Sequence, residues 1–182
     1  LENDLTDYIV SNLIGITDGH LLFDSTEFIK GRRPSVNSAL SVTRVGSQTQ
    51  SRLHHDIHHK LMTFLTQYDE HQKFSHFGAE LTDKVKEVLF KGQALLSSFN
   101  QHPDEIFPLS FQVFFVGLLW MTWFSELSNL PVLEIRSKLK QAFDQNNSFN
   151  QWVESLLLKD DFFTLTDTIN SNKETVLNIC KT

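Results

Sequence analysis

The sequence predicts a mainly helical protein, with a C-terminal antiparallel helical bundle preceded by a small β-containing segment. Three observations carry this expectation. The chain has 182 residues, 40% of them hydrophobic and 16 of them phenylalanine, which is enough apolar bulk for a real core in one or two domains. Short β-branched runs and turn dipeptides are confined to about the first fifty residues. Beyond them, apolar residues recur at spacings of three and four, the period of an amphipathic helix. That change of period sets a first domain over residues 1–50 and a second over 51–182.

In the first domain, NLIGIT and HLLF are short apolar runs joined through Asp18-Gly19. Asp-Gly favours a tight hairpin turn, so a strand, a turn and a strand are expected. STEFIKG fits a short helical turn capped by Ser25 or Thr26 and ended by Gly31. Past the constrained Arg33-Pro34 step, SVNSALSVTRV reads as a loop entering a further strand. Two or three strands with few apolar positions are marginal alone, which points to missing sequence upstream. A start without methionine also suggests a piece of a longer protein, although processing of a leader would leave the same trace.

The second domain reads as five or six helices with short connections. Residues 47–77 form a long polar-faced segment with Leu53, Ile57, Leu61, Phe64, Leu65 and Tyr68 on one side. LTDKVKEVLFKGQALLSSF offers Thr82 as a cap and Val85, Val88, Leu89, Leu95 and Leu96 as its apolar positions. Pro108 starts PLSFQVFFVGLLWMTWF, and Pro131 opens VLEIRSKLKQAF. SFNQWVESLLL begins at a candidate cap, Ser148, and DFFTLTDTINSNKETVLNIC ends the sequence as one helix with a frayed end.

Composition narrows the possible partners. The net charge of −6 is spread along the sequence without a lysine–arginine run to track a phosphate backbone, so no nucleic acid is expected. LENDLTDYIV lacks the basic segment of a secretory signal. The most membrane-like run, VFFVGLLWMTWF at residues 113–124, falls well short of the roughly 20 apolar residues that span a bilayer. It reads as a buried core helix, with a partner-binding face as the alternative, and no direct membrane insertion is expected. The single cysteine, Cys180, cannot form an intrachain disulfide, and nothing beside it lowers its pKa.

Several clusters invite a chemical reading. In HHDIHH, His54 with His58 and His55 with His59 have the i,i+4 spacing that lets two imidazoles share a metal. A zinc site needs a third or fourth ligand, and His71 and His76 lie more than two turns away, so a solvated polar face is the plainer reading. Asp4, Asp7, Asp18, Asp24 and Glu27 are acid–base candidates, but turn and cap duties explain Asp18 and Asp24 more simply. Asn146-Asn147-Ser148 matches a glycosylation acceptor, a pattern without weight where there is no secretory signal. Arg33 and Arg44 remain. An isolated arginine at a strand end is most often a surface or ion-pairing residue. Its guanidinium is nevertheless always charged and forks onto phosphate oxygens, and a β-branched strand before a glycine would fix the direction of Arg44.

The run from Asp4 to Gln50 resembles the alpha subunit of F-type rotary ATP synthases, through SNxIxITDG, GxRPxVN and SVxRVG in the same order and spacing. FSHFGAELTD and the PLS at Pro108 also fit that family's helical domain. The resemblance covers the whole sequence, close up to about residue 50 and looser beyond about residue 90. It implies that residues 1–50 are the end of an α/β P-loop nucleotide-binding domain and that the rest is the C-terminal helical domain. Arg44 then matches the arginine finger that alpha inserts into the adjacent beta subunit's catalytic site, while Arg33 and Pro34 match the adenine end of alpha's own non-catalytic nucleotide site. The implied partners are beta and gamma subunits in a hetero-hexameric alpha/beta ring, peripheral on the cytoplasmic face of the bacterial inner membrane, in proton- or sodium-coupled ATP synthesis or hydrolysis. The intact subunit would carry ATP or ADP with Mg. No nucleotide is expected tightly bound to these 182 residues, which have no GxxxxGK[ST] and should not hydrolyse ATP alone.

Two departures are notable: Arg32 stands where many relatives have isoleucine, and NQHPDEIF replaces a glutamine-containing stretch, which puts occupancy of the non-catalytic site in question. The apolar VFFVGLLWMTWF and FSHFGAEL look more like the divergent second-copy synthases of some bacteria. Two rival readings of the sequence are an autonomous helical interaction module without nucleotide chemistry and a metal-binding protein using the histidine cluster.

Overall fold

The computed structural model describes residues 7–38, 40–44, 46–75, 82–127 and 129–181. Asp4, His76 and most of FSHFGAEL lie outside them. The protein divides into two compact units: the residues up to Gln50 with Phe99–Glu105, and Ser51–Ser98 with the residues from Ile106 onward.

The first unit contains α1 (Tyr8–Ile16), β1 (Gly19–His20), α2 (Ser25–Ile29), β2 (Val42–Thr43) and α3 (Gly46–Thr49). The expected hairpin through Asp18-Gly19 does not form. NLIGI is the end of α1, whose main-chain groups are satisfied by its own i→i+4 bonds, so β1 turns to β2 instead. The two strands run antiparallel, with Gly19 opposite Thr43 and His20 opposite Val42. A single bridge joins Phe23 to Val36. Helix α2 forms where expected, but its cap is Asp24, which accepts from the Thr26 N–H, rather than Ser25 or Thr26. Gly31 follows it with φ of +87°. No described residue of this unit is buried.

The second unit is built from α4 (Arg52–Ser75), α5 (Asp83–Ser98), α6 (Leu109–Leu119), α7 (Val132–Gln145), α8 (Asn147–Ser155), α9 (Phe162–Ser171) and α10 (Lys173–Lys181). Pro108 and Pro131 cap α6 and α7 as expected, and the Thr82 carbonyl accepts from Lys86 at the start of α5. Three expectations are corrected. The run 108–124 is not one helix: α6 stops at Leu119 and a 3₁₀ segment covers Thr122–Leu127. The N–H groups of Trp120 and Met121 bond back three residues, which tightens the turn. Trp123 and Phe124 are both buried beyond it, with Trp123 Nε1 donating to Asn170 at 2.9 Å. The closing segment is two helices, because Asn172 turns its side chain back onto the Thr168 carbonyl and leaves helical geometry. Asn146, not Ser148, caps α8 by accepting from the Phe149 N–H, so the glycosylation-like asparagine is spent on a helix end.

Helix α6 is the centre of this unit, with Phe111, Phe114, Phe115, Leu118 and Leu119 buried. Phe114 meets Phe149 and Trp152 edge-on at 5.7 and 5.5 Å, and Phe111 meets Phe143 at 5.7 Å. Gly117 leaves room for the close approach of α9, since a Cβ there would lie 2.6 Å from Ile169 Cδ1 and push that side-chain end aside. The nearly buried Arg136 donates to the Ser98 carbonyl at the end of α5 at 2.6 Å and stacks over Phe107 at 4.6 Å. VFFVGLLWMTWF is therefore core, and among the described residues no helix is long and apolar enough to cross a membrane.

Candidate functional site

Arg44 follows directly on β2. Its main chain is pinned, because its N–H donates to the Asp18 carbonyl at 2.8 Å, extending the β1–β2 register by one step. On the far side, the Gly46 N–H donates to Thr43 Oγ1 at 3.0 Å and begins α3. The side chain is exposed, and its two terminal nitrogens donate to the carbonyls of Gly15 and Ile14 at 3.1 Å each. These belong to the last turn of α1, the electronegative end of that helix, where a guanidinium is favoured. The site thus presents a permanent cation on a fixed main chain, resting on neutral acceptors.

The approach to β2 is held by a second polar set. Asn37 Nδ2 donates to Asp24 Oδ2 at 3.0 Å, and Asn37 Oδ1 accepts from the Leu40 N–H at 3.1 Å. The Asn37 carbonyl accepts from Ser41 Oγ at 2.6 Å, and Ser41 Oγ in turn accepts from the Leu22 N–H at 3.0 Å. Asp24 is held below its ordinary value of 3.8, first by the Asn37 amide and then by the Thr26 N–H, against a smaller opposing effect of burial. Asn37 ends the GxRPxVN run. Its local signal is the polar VNSALS run, in which a side chain bonds to main chain three residues on.

Arg33 and Pro34 lie on the loop after α2. Arg33 lays its guanidinium 3.5 Å from the Phe28 ring centroid and donates to the carbonyls of Phe28 and Arg32 at 2.8 and 2.7 Å. Its N–H donates to Asn100 Oδ1 and its carbonyl accepts from Gln101, both at 2.9 Å, so this loop is anchored to the 99–105 segment of the same unit. Arg32 pairs with Glu27 at 3.0 Å. The structure does not bring Arg33 and Arg44 into one cluster, and each is spent on main-chain carbonyls of its own neighbourhood.

The histidines lie on α4. His55, His58 and His59 are exposed, while His54 is half-buried with Nδ1 2.7 Å from Ser51 Oγ and a buried Nε2 that has no hydrogen-bond partner among the described residues. Among the described residues no group of three or more His, Cys, Asp or Glu side chains is placed to hold a metal ion. Cys180 is fully buried in α10, where loss of solvent pushes its thiol up from 9.0 to about 11, the nearby Lys138 opposing.

Comparison with known proteins adds to this geometry. Residues 50–175 match the family model described as "ATP synthase alpha/beta chain, C terminal domain". The protein is 36% identical over 145 residues to an ATP synthase subunit alpha of Acetivibrio thermocellus, covering 80% of its own length and 28% of that relative. It is 34% identical over 134 residues to the subunit alpha of Frankia casuarinae, covering 74% and 24%. The subunit alpha of Clostridium botulinum is 30% identical over 178 residues, covering 98% and 34%. The sequence thus spans from about a quarter to a third of the length of these curated relatives.

Proposed function

Because the protein belongs to the ATP synthase alpha/beta family through its C-terminal domain and is similar to alpha subunits over most of its length, we propose that it works as part of an F-type ATP synthase alpha subunit and supplies Arg44 in trans to the catalytic site of an adjacent beta subunit. The observation that carries this reading is the placement of Arg44: an exposed guanidinium whose main chain is fixed by Asp18 and by the β1–β2 pair, and whose side chain rests only on neutral carbonyls among its described contacts. Exchanging two neutral acceptors for phosphate oxygens is favourable, because charge-assisted forked bonds are the stronger kind. A cation delivered this way stabilises charge spreading over the transferred phosphoryl group.

The first unit is then the end of a nucleotide-binding domain, and the second the helical domain that couples nucleotide state to movement in an alpha/beta ring around gamma. Arg33 and Pro34 would line the adenine end of a non-catalytic site for ATP or ADP with Mg. The described residues fit that role only as lining: Arg33 is committed to Phe28, and the phosphate-cradling part is not in this sequence. The assembly would sit peripherally on the cytoplasmic face of the bacterial inner membrane, coupled to proton or sodium flow.

The test is turnover of the assembled complex carrying Arg44→Ala. A fall in kcat on the order of 10³ or more, with assembly and KM nearly unchanged, is expected. Turnover at the wild-type rate would sink the assignment.

A further inference from the structure

We propose that Asn37, acting with Asp24, is a positioning residue that sets the strand from which Arg44 reaches its target. The inference rests on the arginine-finger reading and names what holds the finger. Within the described residues, directional bonds tie the approach to β2. Asn37 makes bonds in four directions. Its side chain joins Asp24 Oδ2 on α2's cap to the Leu40 N–H just ahead of β2. Its N–H donates to the Leu22 carbonyl at 2.9 Å, and its carbonyl takes both the N–H and the Oγ of Ser41. Ser41 closes the loop by accepting from Leu22. The route from the cap of α2 to the residue preceding β2 is therefore a continuous hydrogen-bond path, and Arg44 lies three residues beyond its end.

The carboxylate–amide pair has a defined polarity. Asp24 uses one oxygen for the Thr26 N–H and the other for the Asn37 amide. Asn37→Asp would set two carboxylates against each other with no donor between them. Exchanging the two residues, Asp24→Asn with Asn37→Asp, restores these three bonds: the asparagine at 24 accepts from Thr26 and donates across, and the aspartate at 37 accepts from that amide and from Leu40.

The experiment is steady-state ATPase kinetics of the assembled complex in which the alpha subunit carries Asn37→Asp, Asp24→Asn, the exchange, and each in an Arg44→Ala background. Asn37→Asp is expected to lower kcat about tenfold or more with KM held, since small misplacements of a catalytic group are costly. Asp24→Asn, which loses one acceptor only, is expected to fall in between, and the exchange to recover to within about threefold of wild type. In the Arg44→Ala background, Asn37→Asp should cost nothing further. If Arg44→Ala itself leaves turnover intact, the finger reading fails, and this proposal with it. If Arg44→Ala is inactive while Asn37→Asp matches wild type, or if the exchange does not recover, the positioning role alone is overturned. An additional loss in the Arg44→Ala background would likewise overturn it, as the mark of a general structural defect.

Discussion

The described residues of the two units are held by different kinds of contact. The helical unit buries Phe111, Phe114, Leu118, Leu139, Leu165 and Ile169 around α6, and its aromatic rings interlock at 5.5 to 5.7 Å. The unit that carries Arg44 buries none of its described residues and leaves Tyr8, Ile16, Leu21 and Ile29 more than two-thirds exposed, at 80, 81, 71 and 84%. Its described residues are linked instead by bonds of Asp24, Asn37 and Ser41 and by the main-chain bond from Arg44 to Asp18. Apolar burial is strong and non-directional, whereas hydrogen bonds are individually modest and directional.

The contrast is sharpest at Phe114. Replacing it with alanine should cost about 3–5 kcal/mol in denaturant unfolding of the helical unit, because the cavity opens between α6 and α8. A loss below about 1 kcal/mol would mean that the aromatic cluster does not carry the unit. A smaller effect is tied to Cys180. Its thiol stays neutral when folded, with a value raised from 9.0 to about 11, so the stability it contributes is complete below pH 9 and is lost as pH rises toward 11. Unfolding of the wild type should weaken by about 2 kcal/mol across that window relative to Cys180→Ala, and equal slopes would remove the claim. The smallest effect is expected from Ser41→Ala. It cuts the link between Leu22 and Asn37 yet should move the unfolding midpoint of the helical unit by no more than about 0.5 kcal/mol. A shift comparable to that of Phe114→Ala would abolish the distinction between the units.

The helical unit was readable because its signals are local and strong. Pro108 and Pro131 mark helix starts by geometry alone, and three- and four-residue spacing put Leu53, Ile57 and Tyr68 on the buried face of α4. The breaks inside it were less visible. Neither the 3₁₀ turn after Leu119 nor the interruption at Asn172 is a matter of period; each follows from where Trp123 and Asn172 find partners. The first unit was harder to read for a physical reason. Asp18-Gly19 is a turn signal for a hairpin whose first strand has become α1, and strand pairing is a choice among distant partners that no local pattern records. Arg44 itself was legible as a cation at the end of a short strand, and β2 does end just before it. The bonding of Asn37 was not legible, because a side chain that bridges Asp24 to Leu40 is visible only once the protein has folded.

The most direct test measures affinity for a transition-state analogue rather than rate. In the assembled complex, Mg with ADP and a planar metal fluoride imitates the phosphoryl group in flight, and an arginine that acts only there should matter only there. With Arg44→Ala, ADP affinity should stay within about threefold of wild type while affinity for the analogue falls on the order of 10³. Equal loss of both ligands would make Arg44 an ordinary ground-state contact, and unchanged analogue binding would show that Arg44 does not meet the phosphoryl group at all.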